Sequence, residues 1–331
     1  MKYSNNKILS SSRQQGAALV VALLIVMVVV SLSVSVSSDF FRLFRQVENQ
    51  SHSQQASAFL MAAEGMARKV IGNDPGLSFD HAKEGWLQQS ITLPHEHGVL
   101  QGVLSDEEGR LNINNLRNDD ATSLNTDQAR FIRLLQALDL PQPLTLPEAE
   151  AIANAVFDWL DSDDQERMPG GAENLYYGSA DLPGRAANNV VASVSELRWI
   201  KGISAEIYQA LRPHITVFGR GVLNVNTASQ AVLRTINAED NLLPLEPADV
   251  ETWLEEQHAD QIGFEKLADF PGASFSGMTL DLGGLDVVSH TFRLQAQMRF
   301  LDRDYWLYSM IKRDVGANSL TVIARSTSSF E

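Results

Sequence analysis

Residues 13–36 read RQQGAALVVALLIVMVVVSLSVSV, and the class of the chain turns on them. From Ala17 to Val36 the run is apolar apart from Ser31, Ser33 and Ser35, and no charge falls between Arg13 and Asp39. In helical geometry about 20 such residues span about 30 Å, the thickness of a bilayer's hydrocarbon core. A cleaved secretory signal has a shorter apolar region with a small-residue cleavage site behind it, and Ser31, Ser33, Ser35 and Ser37 loosely mimic one. Hydropathy alone leaves anchor and signal both open. The flank in front bears on the choice: MKYSNNKILSSSRQQG is polar and basic, and Gly16 abuts the first apolar residue.

The junction of RQQG with AALVVALLIV resembles the type III, or prepilin, signal. That resemblance implies that a prepilin peptidase cuts between Gly16 and Ala17, that Ala17 becomes N-methylated, and that the apolar segment stays on as anchor and assembly helix. Lys2, Lys7 and Arg13 then hold the leader on the cytoplasmic side by the positive-inside rule. The implied location is the inner membrane of a Gram-negative cell, crossed once, with the bulk in the periplasm. Beyond the bilayer Phe40, Phe41, Leu43, Phe44 and Val47 continue the pattern. Ala56, Phe59, Leu60, Ala63, Met66, Ala67 and Val70 then follow at spacings of three and four, an amphipathic stripe. Gly72, Asn73, Asp74 and Pro75 are stop signals. A helix of about 55 residues, about 80 Å long, is expected.

Two positions depart from the common pilin pattern. The first mature residue is Ala17 where many members have phenylalanine, and the fifth is Val21 where most carry glutamate. In a stacked filament that carboxylate pairs with a neighbour's terminal ammonium, and an unpaired charge at that depth is costly. Lack of this glutamate is a mark of the minor pseudopilin K of type II secretion systems, and the chain is similar to that family along most of its length. DEEGRLNINNL, DWLDSDDQERMPGGAENLYY, SVSELRWIKGIS, GVLNVNTASQAVL and the final strands carry the likeness. The family is placed at the tip of the pseudopilus, with minor pseudopilins I and J as partners. Minor pseudopilin H, the major pseudopilin, the secretin and secreted cargo are further candidates. A minor pilin of a type IV pilus or competence system, and a membrane-anchored periplasmic DNA-binding protein, share parts of the pattern.

The soluble part reads as α+β. Residues 98–116 read as a strand pair turning at Asp106, Glu107, Glu108 and Gly109. Phe292, Leu294, Ala296 and Met298 alternate with polar residues, DRDY and DVGANS mark turns, and LTVIAR closes the last strand. Between these, Thr126 or Asn125 caps a helix with Phe131, Leu134, Leu135 and Leu138 on one face. Pro147, Glu148 and Glu150 open another through Ile152, Val156 and Leu160. Shorter helices are expected at Ser193–Ile200, Ser204–Leu211, Ser229–Asn237 and Pro247–Gln257. Strands, then helices, then strands argue for one domain inserted in another. The expected organisation is a leader at 1–16, the membrane and assembly helix at 17–72, a first β-region at 73–117, an inserted α-helical domain with helix–hairpin–helix-like units at 118–285, and closing strands at 286–331. The family resemblance implies the pseudopilin fold, a long helix on a small antiparallel sheet, with a large helical insertion.

Asp158, Asp161, Asp163, Asp164, Glu166 and Glu173 crowd one stretch with Arg167 as the nearby cation, and Gly170 and Gly171 let the chain fold back. Clustered carboxylates without imidazole or thiol suit Ca²⁺, with its flexible shell of oxygens, better than Mg²⁺ or zinc. The spacing is not that of an EF-hand. On spacing alone a solvated acidic loop and a metal site stand level. The family resemblance implies structural calcium, with Asp161, Asp163, Asp164, Glu166 and Glu173 as ligands.

The remaining signals exclude more than they assign. With 26 Lys and Arg against 41 Asp and Glu, a formal charge of −15, the surface repels phosphate backbones. WIKGIS lacks the paired glycines a DNA-binding hairpin needs, so no nucleic-acid partner is expected. There is no cysteine. His95 with His97, and the scattered His52, His81, His214, His258 and His290, form no catalytic or metal spacing. No nucleophile elbow, zinc-protease or phosphate-loop motif occurs. Asp161 and Glu173 as a glycosidase pair lack a readable sugar groove, and Trp159, Tyr176 and Tyr177 are expected in the core. The chain reads as an assembly protein, with no catalytic residues.

Overall fold

No proline or glycine interrupts the chain between Ala17 and Glu64, and this stretch winds into one helix, α1 (Ser12–Gly72). The structure is a computed structural model describing residues 12–73, 78–85, 87, 90–96, 98–120, 123–179, 184–259, 263–270, 279–317 and 319–330, with the backbone alone at 12–15 and 255–259. Lys2 and Lys7 of the leader, the side chains of Arg13 and His258, the stop residues Asp74 and Pro75, and His97 therefore lie outside the described residues.

The chain divides into two units, Met1–Ala58 and Phe59–Glu331. In the first, the large apolar side chains between Leu19 and Val47 stand outward all round the helix, from Val28 at 50% exposed to Met27 at 74%. By length and composition this part of α1 is suited to cross a membrane.

In the second unit the end of α1 buries Leu60, Ala63, Ala67 and Ile71, spaced three and four apart. Met66, expected on this stripe, is half exposed beside Ile91 and Leu93, because the buried face continues to Ile71 instead. The helix ends as the Asn73 amide bonds back to the Lys69 carbonyl at 3.0 Å.

An antiparallel sheet follows from β1 (Ser90–His95), β2 (Gly98–Asp106), β7 (Thr291–Phe300), β8 (Arg303–Asp314) and β9 (Ser319–Ser326), in that spatial order. β7 buries Phe292, Leu294, Ala296, Met298 and Phe300, the alternation legible in its sequence. Asp106 at the end of β2 is in register with Phe292 at the start of β7. Everything from 107 to 290 therefore leaves and re-enters the sheet at one end of two neighbouring strands.

The inserted part holds β3 (Leu111–Asn112), α2 (Thr126–Ala137), α3 (Leu146–Leu160), α4 (Asn174–Gly178), α5 (Ala205–Leu211), β4 (Ile215–Thr216), β5 (Leu223–Asn224), α6 (Gln230–Leu233), α7 (Pro247–Ala259) and β6 (Leu285–Asp286). Asn125 caps α2 in a reciprocal box with Gln128, and Thr145 does the same for α3 with Glu148. Phe131, Leu134, Leu135, Val156, Phe157 and Leu160 form the middle of its core, closed elsewhere by Trp253, Phe264 and Phe270.

Several expectations are corrected. The 98–116 hairpin does not form: β2 pairs with β1 and β7, while β3 runs parallel to β4 inside the insert. The expected turn is a buried junction, with Asp106, Glu107 and Glu108 all buried. Their carboxylates are met by groups distant in sequence. Ser289 and Thr227 hydroxyls donate to Asp106, the Thr216 hydroxyl to Glu107, and the His290 amide to Glu108. Gly109 permits this close approach, since a Cβ there would sit 2.7 Å from the Thr227 carbonyl oxygen. The short helix expected at Ser193–Ile200 forms as a 3₁₀ helix over Val194–Trp199, whereas α6 spans less than the expected 229–237.

Candidate metal centre

The acidic stretch is positioned by the end of α3. Leu160 closes that helix and Asp161 caps it, its amide bonding the Phe157 carbonyl at 2.9 Å. One turn earlier Asp158 points inward, fully buried, and accepts from the amides of Ala172 at 2.8 Å and Arg167 at 3.2 Å. That carboxylate folds the 161–173 loop back over α3. Gly171 makes room for it, because a Cβ there would collide with Asp158 Oδ2 and the Arg167 carbonyl. Gly170, at φ +86°, lies against Ala151.

The fold brings one carboxylate oxygen each of Asp161, Asp163 and Glu173 within 4.8 Å of one another. Glu173, 2% exposed, is the residue before α4, and among the described residues neither of its oxygens has a hydrogen-bond partner; buried Asp161 Oδ1 has none there either. Arg167 sits on the far side, with Nε and Nη2 each 3.3 Å from Asp161 Oδ2 and Nη2 donating to the Asn118 carbonyl at 2.5 Å. One guanidinium does not neutralise Asp158, Asp161, Asp163 and Glu173 together. Burial, and then the charges of Asp158, Asp161, Asp164 and Asp163, push Glu173 up to about 8. Burial likewise raises Asp158 to about 6, and raises Asp161.

Of the five acids expected to bind a cation, the structure gathers these three. Asp164 is turned aside, accepting from the side-chain amides of Asn174 and of Asn188, the latter at 3.3 Å. Glu166 is exposed and outside the group. The roles of the two asparagines are not legible in the sequence, because they depend on chain returns that no local pattern marks. Tyr176, expected in the core, is 41% exposed, whereas Trp159 and Tyr177 do pack edge-on there.

The three oxygens fit a cation. The buried oxygens of Asp161 and Glu173 that lack donors are what a metal ligand looks like when no hydrogen bond claims it, while exposed Asp163, whose Oδ1 accepts from the Gln165 amide at 2.7 Å, completes the group. At Ca²⁺–oxygen distances of 2.3–2.6 Å, two oxygens on one ion are at most about 4.6–5.2 Å apart, so three oxygens within 4.8 Å of one another are close enough to share one ion.

The family model for type II secretion system (T2SS) protein K matches residues 109–220, the segment that includes the carboxylate loop. The chain is 29% identical over 222 residues to type II secretion system protein K of Pectobacterium carotovorum subsp. carotovorum, covering 65% of this chain and 66% of that one. It is 29% identical over 232 residues to the protein K of Aeromonas hydrophila, covering 66% and 68%. In both cases the matched region is about two thirds of the relative's length. A longer alignment, 24% identical over 347 residues, joins 92% of this chain to 94% of the protein K of Dickeya chrysanthemi. In fold, the chain is similar to one in the crystal structure of the GspK–GspI–GspJ complex from the enterotoxigenic Escherichia coli type 2 secretion system. The TM-score is 0.71 at 23% identity, covering 86% of this chain and 99% of that one.

Proposed function

We propose that the chain is a type II secretion system protein K, a non-enzymatic minor pseudopilin at the tip of the pseudopilus, a reading supported by the family model over residues 109–220 and by relatives at 29% identity. There it nucleates assembly with minor pseudopilins I and J and supports export of folded proteins across the outer membrane. The observation that carries this reading is the insertion of residues 107–290 between the paired ends of β2 and β7. A body of that size on one end of the sheet obstructs stacking of a further subunit, and Val21 offers no carboxylate for a neighbour's ammonium within the bilayer. Support for the partners comes from the structural neighbour, whose crystal holds GspK with GspI and GspJ.

On this reading prepilin peptidase trims the leader between Gly16 and Ala17, Ala17 is N-methylated, and α1 anchors the protein in the inner membrane with its bulk in the periplasm. Contacts with minor pseudopilin H, the major pseudopilin, the secretin and cargo belong to the same proposal. Asp161, Asp163 and Glu173 hold a structural Ca²⁺, with Asp164 ordering the loop through Asn174 and Asn188. A bound Ca²⁺ supplies positive charge that ties the end of α3 to the start of α4.

The test is purification of the full-length chain in detergent from cells that also produce I, J and the major pseudopilin. The expected product is a complex with I and J, the chain starting at Ala17, and antibody against it marking one end of overproduced pseudopili. Label spaced along the shaft would overturn the tip assignment.

A further inference from the structure

The insert and the sheet are separately cored. The insert's buried apolar cluster runs from Leu111 to Val287 and contains no side chain of α1 or of the five-stranded sheet. Where the chain leaves β2 and returns to β7, the two bodies meet through Asp80, Asp106, Glu107, Glu108, Ser289 and Arg313, all buried. Bodies joined through polar groups move against each other more readily than bodies that share a large apolar interface. Ser289 is the hub of this junction. Its hydroxyl donates to Asp106 at 2.5 Å and accepts from the Asn224 side chain at 2.7 Å. Its amide donates to Asp80 at 2.7 Å, and its carbonyl accepts from Arg313 Nε at 3.0 Å. Two more amides tie entry to exit, Glu107 donating to the Thr291 carbonyl at 3.0 Å and His290 to Glu108 at 2.8 Å.

Counter-charge is shared unevenly among these acids. Asp80 pairs with Arg313 of β8, and Glu107 with Arg293 of β7 at 3.0 Å and with Arg110 at 3.7 Å. Glu108 lies 3.5 Å from His290 Nδ1, which is a cation only when protonated. It also accepts from the Arg220 amide at 3.3 Å, while the guanidinium of that residue pairs with Asp286 at 3.6 Å. Residues 78–85 add Glu84, which accepts from the His81 amide at 3.2 Å. Asp106 has no ion pair among the described residues; its partners are the Ser289 and Thr227 hydroxyls and the Glu108 amide. Burial, the foremost cause, pushes its carboxyl up to about 7, and the charge of Glu108 acts in the same direction.

We propose that this junction is a proton-operated latch: with Asp106 neutral, the entry and exit of the insert are clamped together and the insert is fixed on the sheet. When Asp106 ionises the clamp loosens and the insert swings on the sheet while both cores stay folded. Opening brings Asp106 to water and to its ordinary 3.8, so the open form releases a proton that the closed form holds. Opening therefore becomes easier by about tenfold per pH unit between 3.8 and about 7, and levels off above. Loss of the His290 proton removes a counter-charge from Glu108 and acts in the same sense. A second contact lies outside the latch and supplies a pivot: the Phe330 ring is 5.3 Å from Phe218 of the insert and 6.4 Å from Tyr308 of β8.

The chain has no cysteine, so spin labels on Gln209→Cys of α5 and Thr321→Cys of β9, both exposed, report the insert–sheet distance in the full-length chain in detergent. The expected result is a narrow distance distribution at pH 5 and a broader or shifted one at pH 7, with an unchanged far-UV signal. In Asp106→Asn, which does not ionise, the two distributions should coincide. Hydrogen exchange of the unsubstituted chain reads the same event without any variant. After correction for intrinsic rates, protection of the Glu107, Ser289 and His290 amides should fall about fiftyfold from pH 5 to pH 7, and that of the β7–β8 ladder far less. Distances and protection that ignore pH, a fall shared equally by the ladder, or a pH response kept by Asp106→Asn would each overturn the latch.

Discussion

Glu64, on the last turns of α1, and Arg325, on the edge strand β9, form a two-pronged ion pair: Nε donates to Oε2 at 2.7 Å and Nη2 to Oε1 at 2.9 Å. The buried Ser309 hydroxyl of β8 donates to the same Oε2 at 2.7 Å. One glutamate thus fastens the helix to two strands. The Arg325 hydrogen bond, foremost among the causes, holds the Glu64 carboxyl below its usual range. A depressed pKa means stability that is present above the unfolded value of 4.5 and lost as pH falls through the folded one. Glu64→Ala should cost about 1–3 kcal/mol, because it leaves the Ser309 hydroxyl buried without its acceptor. Arg325→Ala opens onto water and should cost clearly less. Urea unfolding of both variants and of their combination measures this; equal losses would show that the ion pair, not the buried hydroxyl, dominates.

Asp106 has the opposite pH sign. Burial pushes its carboxyl up to about 7 despite donation from the Ser289 and Thr227 hydroxyls, both at 2.5 Å, and from the Glu108 amide at 2.8 Å. The folded chain keeps a proton that the unfolded chain, at 3.8, releases, so this residue's contribution to stability falls as pH rises from 3.8 to about 7. Asp106→Asn should flatten that part of the pH profile. Urea midpoints at about pH 5 and about pH 7 decide it, and parallel slopes in the two proteins would refute the assignment.

What could be read from the sequence was whatever a short window contains. The apolar run after Gly16, the alternation through β7, and the caps at Asn125 and Thr145 are local patterns of period or spacing. β1 was missed because its six residues are all exposed and include Pro94, which reads against a strand except at a sheet edge. The parallel pairs Leu111–Ile215 and Leu223–Leu285 are too short to show any period. Glu108 resembled a turn residue because its partners His290 and Thr291 lie at the far end of the insert. The carboxylate loop was visible by acid density. Which acids converge was not, since that depends on Asp158 pulling Ala172 back toward α3.

That pull makes Gly171 a sensitive position. A methyl group there would meet Asp158 Oδ2 and the Arg167 carbonyl, displacing the loop that carries Glu173. Gly171→Ala should therefore abolish Ca²⁺-dependent thermal stabilisation while the β-sheet far-UV signal persists. An undiminished Ca²⁺ response would show that the fold-back is not what assembles the centre.

Glu173→Gln offers a test in which the sign reverses with the cation. Without metal, buried Glu173 is repelled by Asp158, Asp161, Asp164 and Asp163, and its carboxyl is raised to about 8. Above that pH an ionised, unpartnered carboxylate opposes folding, so in chelator the glutamine variant should melt no lower than the parent and, in alkaline buffer, higher. With Ca²⁺ at about 100 times its dissociation constant, the parent gains about 2.7 kcal/mol from binding. For a protein of this size that raises Tm by about 4 °C. The variant has lost a ligand and should gain little, so the order of the two melting temperatures inverts. A crossing of this kind distinguishes a metal ligand from a structural acid, whose replacement would lower Tm equally in both buffers. Asp164→Asn, which keeps an acceptor for Asn174, should leave the Ca²⁺ response in place, because Asp164 orders the loop rather than sharing the ion.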